Sequence, residues 1–218
     1  MSSESLTIPA QRGTSIPAHL ARGDGQWLAV LFPGLTYRNT MPVMHFSRLL
    51  LAERGADVLA VDYAYDLNSD FRGASDEDQL EWIGADGRAV LSAALDLGSY
   101  RRCTIVGKSL GTIAMGWSVP DEPRLAQADL VWLTPSLQGT GLRERMSRCG
   151  GRSVVVIGTR DPGFEPTLVN EWKQAGTATI VVAGADHGLE RPGDALGSLA
   201  ALEEVFRPLG AWLDEGRP

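Results

Sequence analysis

Cysteine is scarce. The 218 residues hold two, Cys103 and Cys149, too few for a disulfide framework, and neither sits in a CxxC or Cys/His cluster that would suggest zinc. Cys103 falls in an apolar run and Cys149 in a loop beside Gly150-Gly151, which reads as one buried and one incidental thiol rather than redox chemistry. Long apolar runs are also missing: none approaches the roughly 20 residues that span a bilayer. The opening Met-Ser-Ser-Glu-Ser lacks the basic start and apolar stretch of a secretory signal, so a soluble cytoplasmic protein is expected. Positive charge is in deficit, with 20 Lys and Arg against 27 Asp and Glu, a net charge of −7 and a pI of about 5.0. That balance argues against a nucleic-acid or anionic-membrane partner. Internal repeats, low-complexity tracts and linkers are absent, and the length suits one domain, 1–218, with its own core.

What is present is an alternation of apolar strands and amphipathic helices. Residues 6–9 and 16–21 suggest an edge hairpin broken at Gln11-Arg12-Gly13-Thr14. Strands are expected at 27–32, 57–63, 103–106, 130–133, 153–157 and 177–183, with 66–74 as a loop. Helices are expected at 42–54, 75–97, from 110 onward, 166–175 and 194–215, plus about two turns within 139–149. The last helix carries Leu196, Leu199, Leu202, Phe206 and Leu209 on one stripe and contains Pro208. Such alternation predicts a mostly parallel sheet of seven to eight strands with helices on both faces, whose chemistry gathers at the carboxyl ends of the strands.

The most informative stretch is Gly107-Lys108-Ser109-Leu110-Gly111, between the strand Cys103–Val106 and a helix. A Gly-x-Ser-x-Gly run in that context forms a nucleophile elbow, a sharp turn that lifts the serine hydroxyl above the sheet. Gly107-Lys108-Ser109 does not end a phosphate-binding loop, because the required glycine five positions earlier is Arg102. Past two later strands come Gly158-Thr159-Arg160-Asp161-Pro162 and Gly184-Ala185-Asp186-His187-Gly188. Ser109, Asp161 and His187 thus follow their own strands, with gaps of 52 and 26 residues. Asp186 and Asp62 are rival acids, but Asp186 adjoins the histidine too closely and Asp62 follows the strand Asp57–Val61, a less usual place for the acid. His19 and His45 read as structural or surface residues.

In these motifs and their order the chain resembles the α/β-hydrolase fold superfamily from Leu6 to Trp212, and within it compact esterases, thioesterases and dienelactone-hydrolase-like proteins. The resemblance implies a Ser109-Asp161-His187 triad acting on carboxylic esters or thioesters through an acyl-enzyme, with a small-molecule substrate and no cofactor or metal. It also implies an oxyanion hole made by the backbone amides of Leu110 and Leu35. Two departures stand out. Phe32-Pro33-Gly34-Leu35 replaces the usual His-Gly, and Lys108 replaces a common histidine with no obvious mechanistic cost. Dienelactone hydrolases proper use cysteine as nucleophile, and a haloalkane dehalogenase would place aspartate at position 109. Only Pro135 to Arg152 separate two strands where larger relatives insert a cap, so an open site without a substantial lid is expected. Tyr37, Phe164 and Leu189, in loops after strands, are candidates for its acyl pocket. A non-catalytic scaffold that binds a small molecule or protein is the alternative function.

Overall fold

Eight strands form one continuous sheet in this computed structural model, which describes residues 3–10, 12, 13 and 15–216. In chain order the strands are β1 (Ser3–Pro9), β2 (Ser15–Ala21), β3 (Trp27–Phe32), β4 (Asp57–Val61), β5 (Arg102–Lys108), β6 (Asp129–Leu133), β7 (Ser153–Gly158) and β8 (Ala178–Val182). Their spatial order is β1-β2-β4-β3-β5-β6-β7-β8. The pairs β1/β2 and β2/β4 are antiparallel and all others parallel. The expected edge hairpin is therefore present, although Gln11 and Thr14 of its turn lie outside the described residues.

Strand β3 is apolar at every position because both of its faces are covered. Along β3, Leu28, Val30 and Phe32 enter one core cluster while Trp27, Ala29 and Leu31 enter the other. The helices are α1 (Pro42–Ala52), α2 (Ser69–Gly73), α3 (Asp76–Leu95), α4 (Leu110–Ser118), α5 (Leu142–Ser147), α6 (Pro166–Gln174) and α7 (Ala195–Glu215). Residues of α3, α4, α5 and α6 pack into the first cluster and those of α1 and α7 into the second. Among the described residues no helix is long and apolar enough to cross a membrane.

Local signals set the boundaries. The Ser75 hydroxyl caps α3 by accepting from Asp78 N–H at 3.2 Å, and Asp76, Glu77 and Asp78 follow in the first turn, where negative charge suits the helix dipole. Two expectations need correction. Residues 66–74 are not all loop: the Asn68 side chain accepts from the Asp70 and Phe71 amides at 3.0 Å each and starts α2. That short helix places Phe71 in a stack on Tyr65 and edge-on to Trp82. In α7 the buried row is Ala201, Val205, Leu209 and Leu213, while Leu196 and Leu199 are 79% and 62% exposed. Leu202 and Phe206 of the expected stripe pack half-buried against the same core and Leu209 lies within the buried row, so the stripe fails only at its N-terminal end.

Between β6 and β7, residues 134–152 carry only the six-residue α5. No cap domain covers the carboxyl end of the sheet there.

Candidate active site

The elbow is built by close packing around β5 and α4. A Cβ on Gly107 would lie 2.7 Å from Gly111 O and 2.4 Å from the Met115 sulfur, and one on Gly111 would lie 2.0 Å from Phe32 O. Only glycine fits where strand and helix cross this closely. Ser109 takes φ 52° and ψ −117°, a sparsely populated conformation held by its surroundings. Its N–H donates to Leu133 O at 3.0 Å.

Ser109 Oγ lies 2.8 Å from His187 Nε2, and His187 Nδ1 lies 2.7 Å from Asp161 Oδ2. A neutral imidazole protonated at Nδ1 donates to the carboxylate and accepts the serine proton at Nε2. Asp161 is buried, and its Oδ1 accepts from Gly163 N–H at 2.7 Å. The loops bearing the acid and the base are stitched together where Gly184 N–H donates to Thr159 Oγ1 at 2.8 Å. The rival acids are engaged elsewhere. Asp186 Oδ1 accepts from Gly188 and Glu190 amides, and Asp62 stands 3.6 Å from the exposed His19. His45 meets Phe46 edge-on.

A cleft of about 400 Å³ opens beside Ser109 and His187. Leu35, Leu110, Ile113, Pro135, Leu137 and Pro162 supply its apolar walls, with Ser136, Gln138 and Thr140 among its polar residues. The Leu110 amide opens α4, where the first N–H groups of a helix have no partner within it.

The three residues expected to line an acyl pocket do not line this cleft. Leu189 is fully buried in the core beneath α1 and α7 because its φ of 61° turns the side chain inward. Phe164 packs against the opposite core. The Tyr37 hydroxyl accepts from Val43 N–H at 3.2 Å, so its ring lies on the α1 side, and burial pushes its phenol up. The lining residues Ile113, Pro135 and Leu137 carried no signal beyond apolarity near a strand end.

The feature that sequence reasoning passed over is Lys108, which is 1% exposed. Its Nζ donates to Thr134 Oγ1 at 2.6 Å and to the His187 backbone carbonyl at 2.7 Å. It also sits 4.9 Å from the centre of the Tyr37 ring. Burial pushes the ammonium down to about 8, against the opposing pull of Asp161 and Asp186. A cation closing a strand of apolar residues was the available sign that it has buried partners.

Burial pushes the Cys103 and Cys149 thiols up, to about 11 and about 12, which keeps them protonated and unreactive at neutral pH. Among the described residues no group of three or more His, Cys, Asp or Glu could hold a metal ion.

No protein-family model matches the chain, and no curated protein sequence does. Solved structures match over nearly the full length. Est1E from Butyrivibrio proteoclasticus superposes with a TM-score of 0.70 at 15% identity, over 97% of this chain and 98% of its own. A dienelactone hydrolase from Anabaena variabilis gives 0.73 at 13% identity over 98% and 97%. An α/β serine hydrolase without a lid from Xanthomonas campestris gives 0.65 at 15% identity over 96% and 95%. With its eight-stranded sheet, its elbow between β5 and α4 and its uncapped strand ends, this chain has the α/β-hydrolase fold in a lidless form.

Proposed function

We propose that the protein is a serine hydrolase that cleaves carboxylic esters or thioesters of neutral acyl groups. The observation that carries this reading is the unbroken chain of contacts from Ser109 Oγ through His187 to Asp161, at 2.8 and 2.7 Å. Ser109 Oγ attacks the acyl carbonyl while His187 Nε2 takes its proton, and Asp161 holds the ring in the useful tautomer and stabilises the imidazolium. The amides of Leu110 and Leu35 receive the oxyanion, each such donor contributing on the order of 10²–10³ in rate. His187 then returns the proton to the departing alcohol or thiol, leaving an acyl group on Ser109. A water, deprotonated by the same imidazole, attacks that ester, and collapse releases the acid and restores the serine.

The cleft supports the substrate class. Its described lining includes no lysine or arginine, and apolar side chains make up most of its walls, which suits an uncharged acyl group. Est1E has been solved with ferulic acid bound, and acyl groups of that modest size are reasonable first substrates. The test is hydrolysis of a p-nitrophenyl ester series from acetate to octanoate. Activity is expected to fall by on the order of 10⁴-fold or more in Ser109→Ala and His187→Ala. A folded protein that hydrolyses none of them, or a Ser109→Ala variant that keeps wild-type turnover, would sink the reading.

A further inference from the structure

We propose that Lys108 is a positioning residue for the general base: its ammonium ties the His187 backbone carbonyl to the Thr134 hydroxyl and so holds the imidazole between Ser109 and Asp161. This inference rests on the serine-hydrolase reading above.

The three ammonium hydrogens have three places to go. One is Thr134 Oγ1, one is His187 O, and the third side faces the Tyr37 ring. Lys108 therefore joins the turns after β3, β5 and β6 to the loop after β8. Those turns are also where the backbone is strained. Among the described residues, the non-glycine positions with positive φ are Ser109, Thr134 and Leu189. The first follows Lys108, the second accepts its hydrogen bond, and the third lies two residues past His187. Such conformations persist only where the surroundings over-determine them, and a buried cation with converging acceptors does that.

Composition points the same way. The chain has two lysines, Lys108 and Lys173, against 18 arginines. A planar guanidinium cannot serve three acceptors converging on one point, whereas a compact ammonium can. Space-filling does not account for it either, since an apolar side chain of equal length would fill the site without desolvating a charge.

The arrangement predicts a pH response. The groups facing Lys108 are Asp161 from the loop after β7, Asp186 and His187 from the loop after β8, Thr134, and Tyr37, whose phenol is pushed up. Lys108 itself loses its proton near 8. A neutral amine donates a weaker hydrogen bond than an ammonium, so the grip on His187 O loosens as pH rises through that value.

The experiment follows fluorophosphonate labelling of Ser109, and kcat and KM for p-nitrophenyl butyrate, from pH 6 to 10 in the wild type and Lys108→Met. Alongside, ¹⁵Nζ signals of the two lysines are titrated in the wild type, with Lys173→Arg, at an exposed position, assigning them. The wild-type labelling rate is expected to fall in step with the Lys108 signal near pH 8. Lys108→Met is expected to lose kcat on the order of 10²-fold, the scale of a misplaced catalytic group, with KM within about threefold and no fall near pH 8. A wild-type rate that stays flat while Lys108 titrates would overturn the inference, and this arm decides even if the variant does not fold. So would wild-type kcat and an unchanged pH profile in Lys108→Met. Absence of Ser109 labelling at every pH would instead overturn the serine-hydrolase reading itself.

Discussion

Ser109, Asp161 and His187 were legible as single residues because each directly follows an apolar strand, so the topology alone brings them to one end of the sheet. The pocket was not legible. Which way a loop side chain turns depends on backbone angles that composition does not reveal, as Leu189 shows: its φ of 61° sends an apparently exposed leucine into the core. Lys108 was missed for a related reason, since its burial has meaning only once Thr134 and the His187 carbonyl are seen beside it. The elbow glycines make a sharp prediction at this scale. In Gly111→Ala the new methyl would meet Phe32 O at 2.0 Å, backbone that cannot step aside. The expected loss is about 3 kcal/mol or more, at the severe end of overpacking, read by urea unfolding. A stability within about 0.5 kcal/mol of wild type would show that the elbow is looser than described.

At the scale of elements, strands and long helices were legible within a few residues because burial on both faces leaves an unmistakable apolar run. Two features escaped. The cap at Asn68 hides in a polar stretch, where only the hydrogen bonds from Asp70 and Phe71 reveal the helix. In α7 the leucines suggested a stripe starting at Leu196, while the observed one keeps Leu202, Phe206 and Leu209 but has Ala201, Val205 and Leu213 in place of the exposed Leu196 and Leu199. The two stripes make different predictions. Leu209→Ala, at a position 2% exposed, should cost about 2–5 kcal/mol through lost burial and a cavity. Leu196→Ala, at 79% exposure, should change stability by less than about 0.5 kcal/mol. Comparable losses in both, measured by denaturant unfolding at constant m-value, would favour the stripe suggested by the sequence over the one observed.

For the whole molecule, the fold carries one long-range electrostatic consequence. The Lys108 ammonium is held down at about 8 in the folded state against an ordinary 10.5. Below pH 8 both folded and unfolded chains carry the proton and the cost of burying the charge is constant. Between about 8 and 10.5 the unfolded chain binds more protons, so this residue's contribution to stability rises with pH. The wild type should therefore gain unfolding free energy relative to Lys108→Met across that window, with a flat difference below it. A difference that stays flat from pH 7 to 10 would mean that Lys108 titrates normally. Activation of the Ser109 hydroxyl is the proposal on which all three scales converge. It is tested most directly by intact-protein mass spectrometry after exposure to a fluorophosphonate, with folded Ser109→Ala as control. One adduct is expected on the wild type and none on the variant. An unmodified folded wild type, or an adduct that persists in Ser109→Ala, would contradict it.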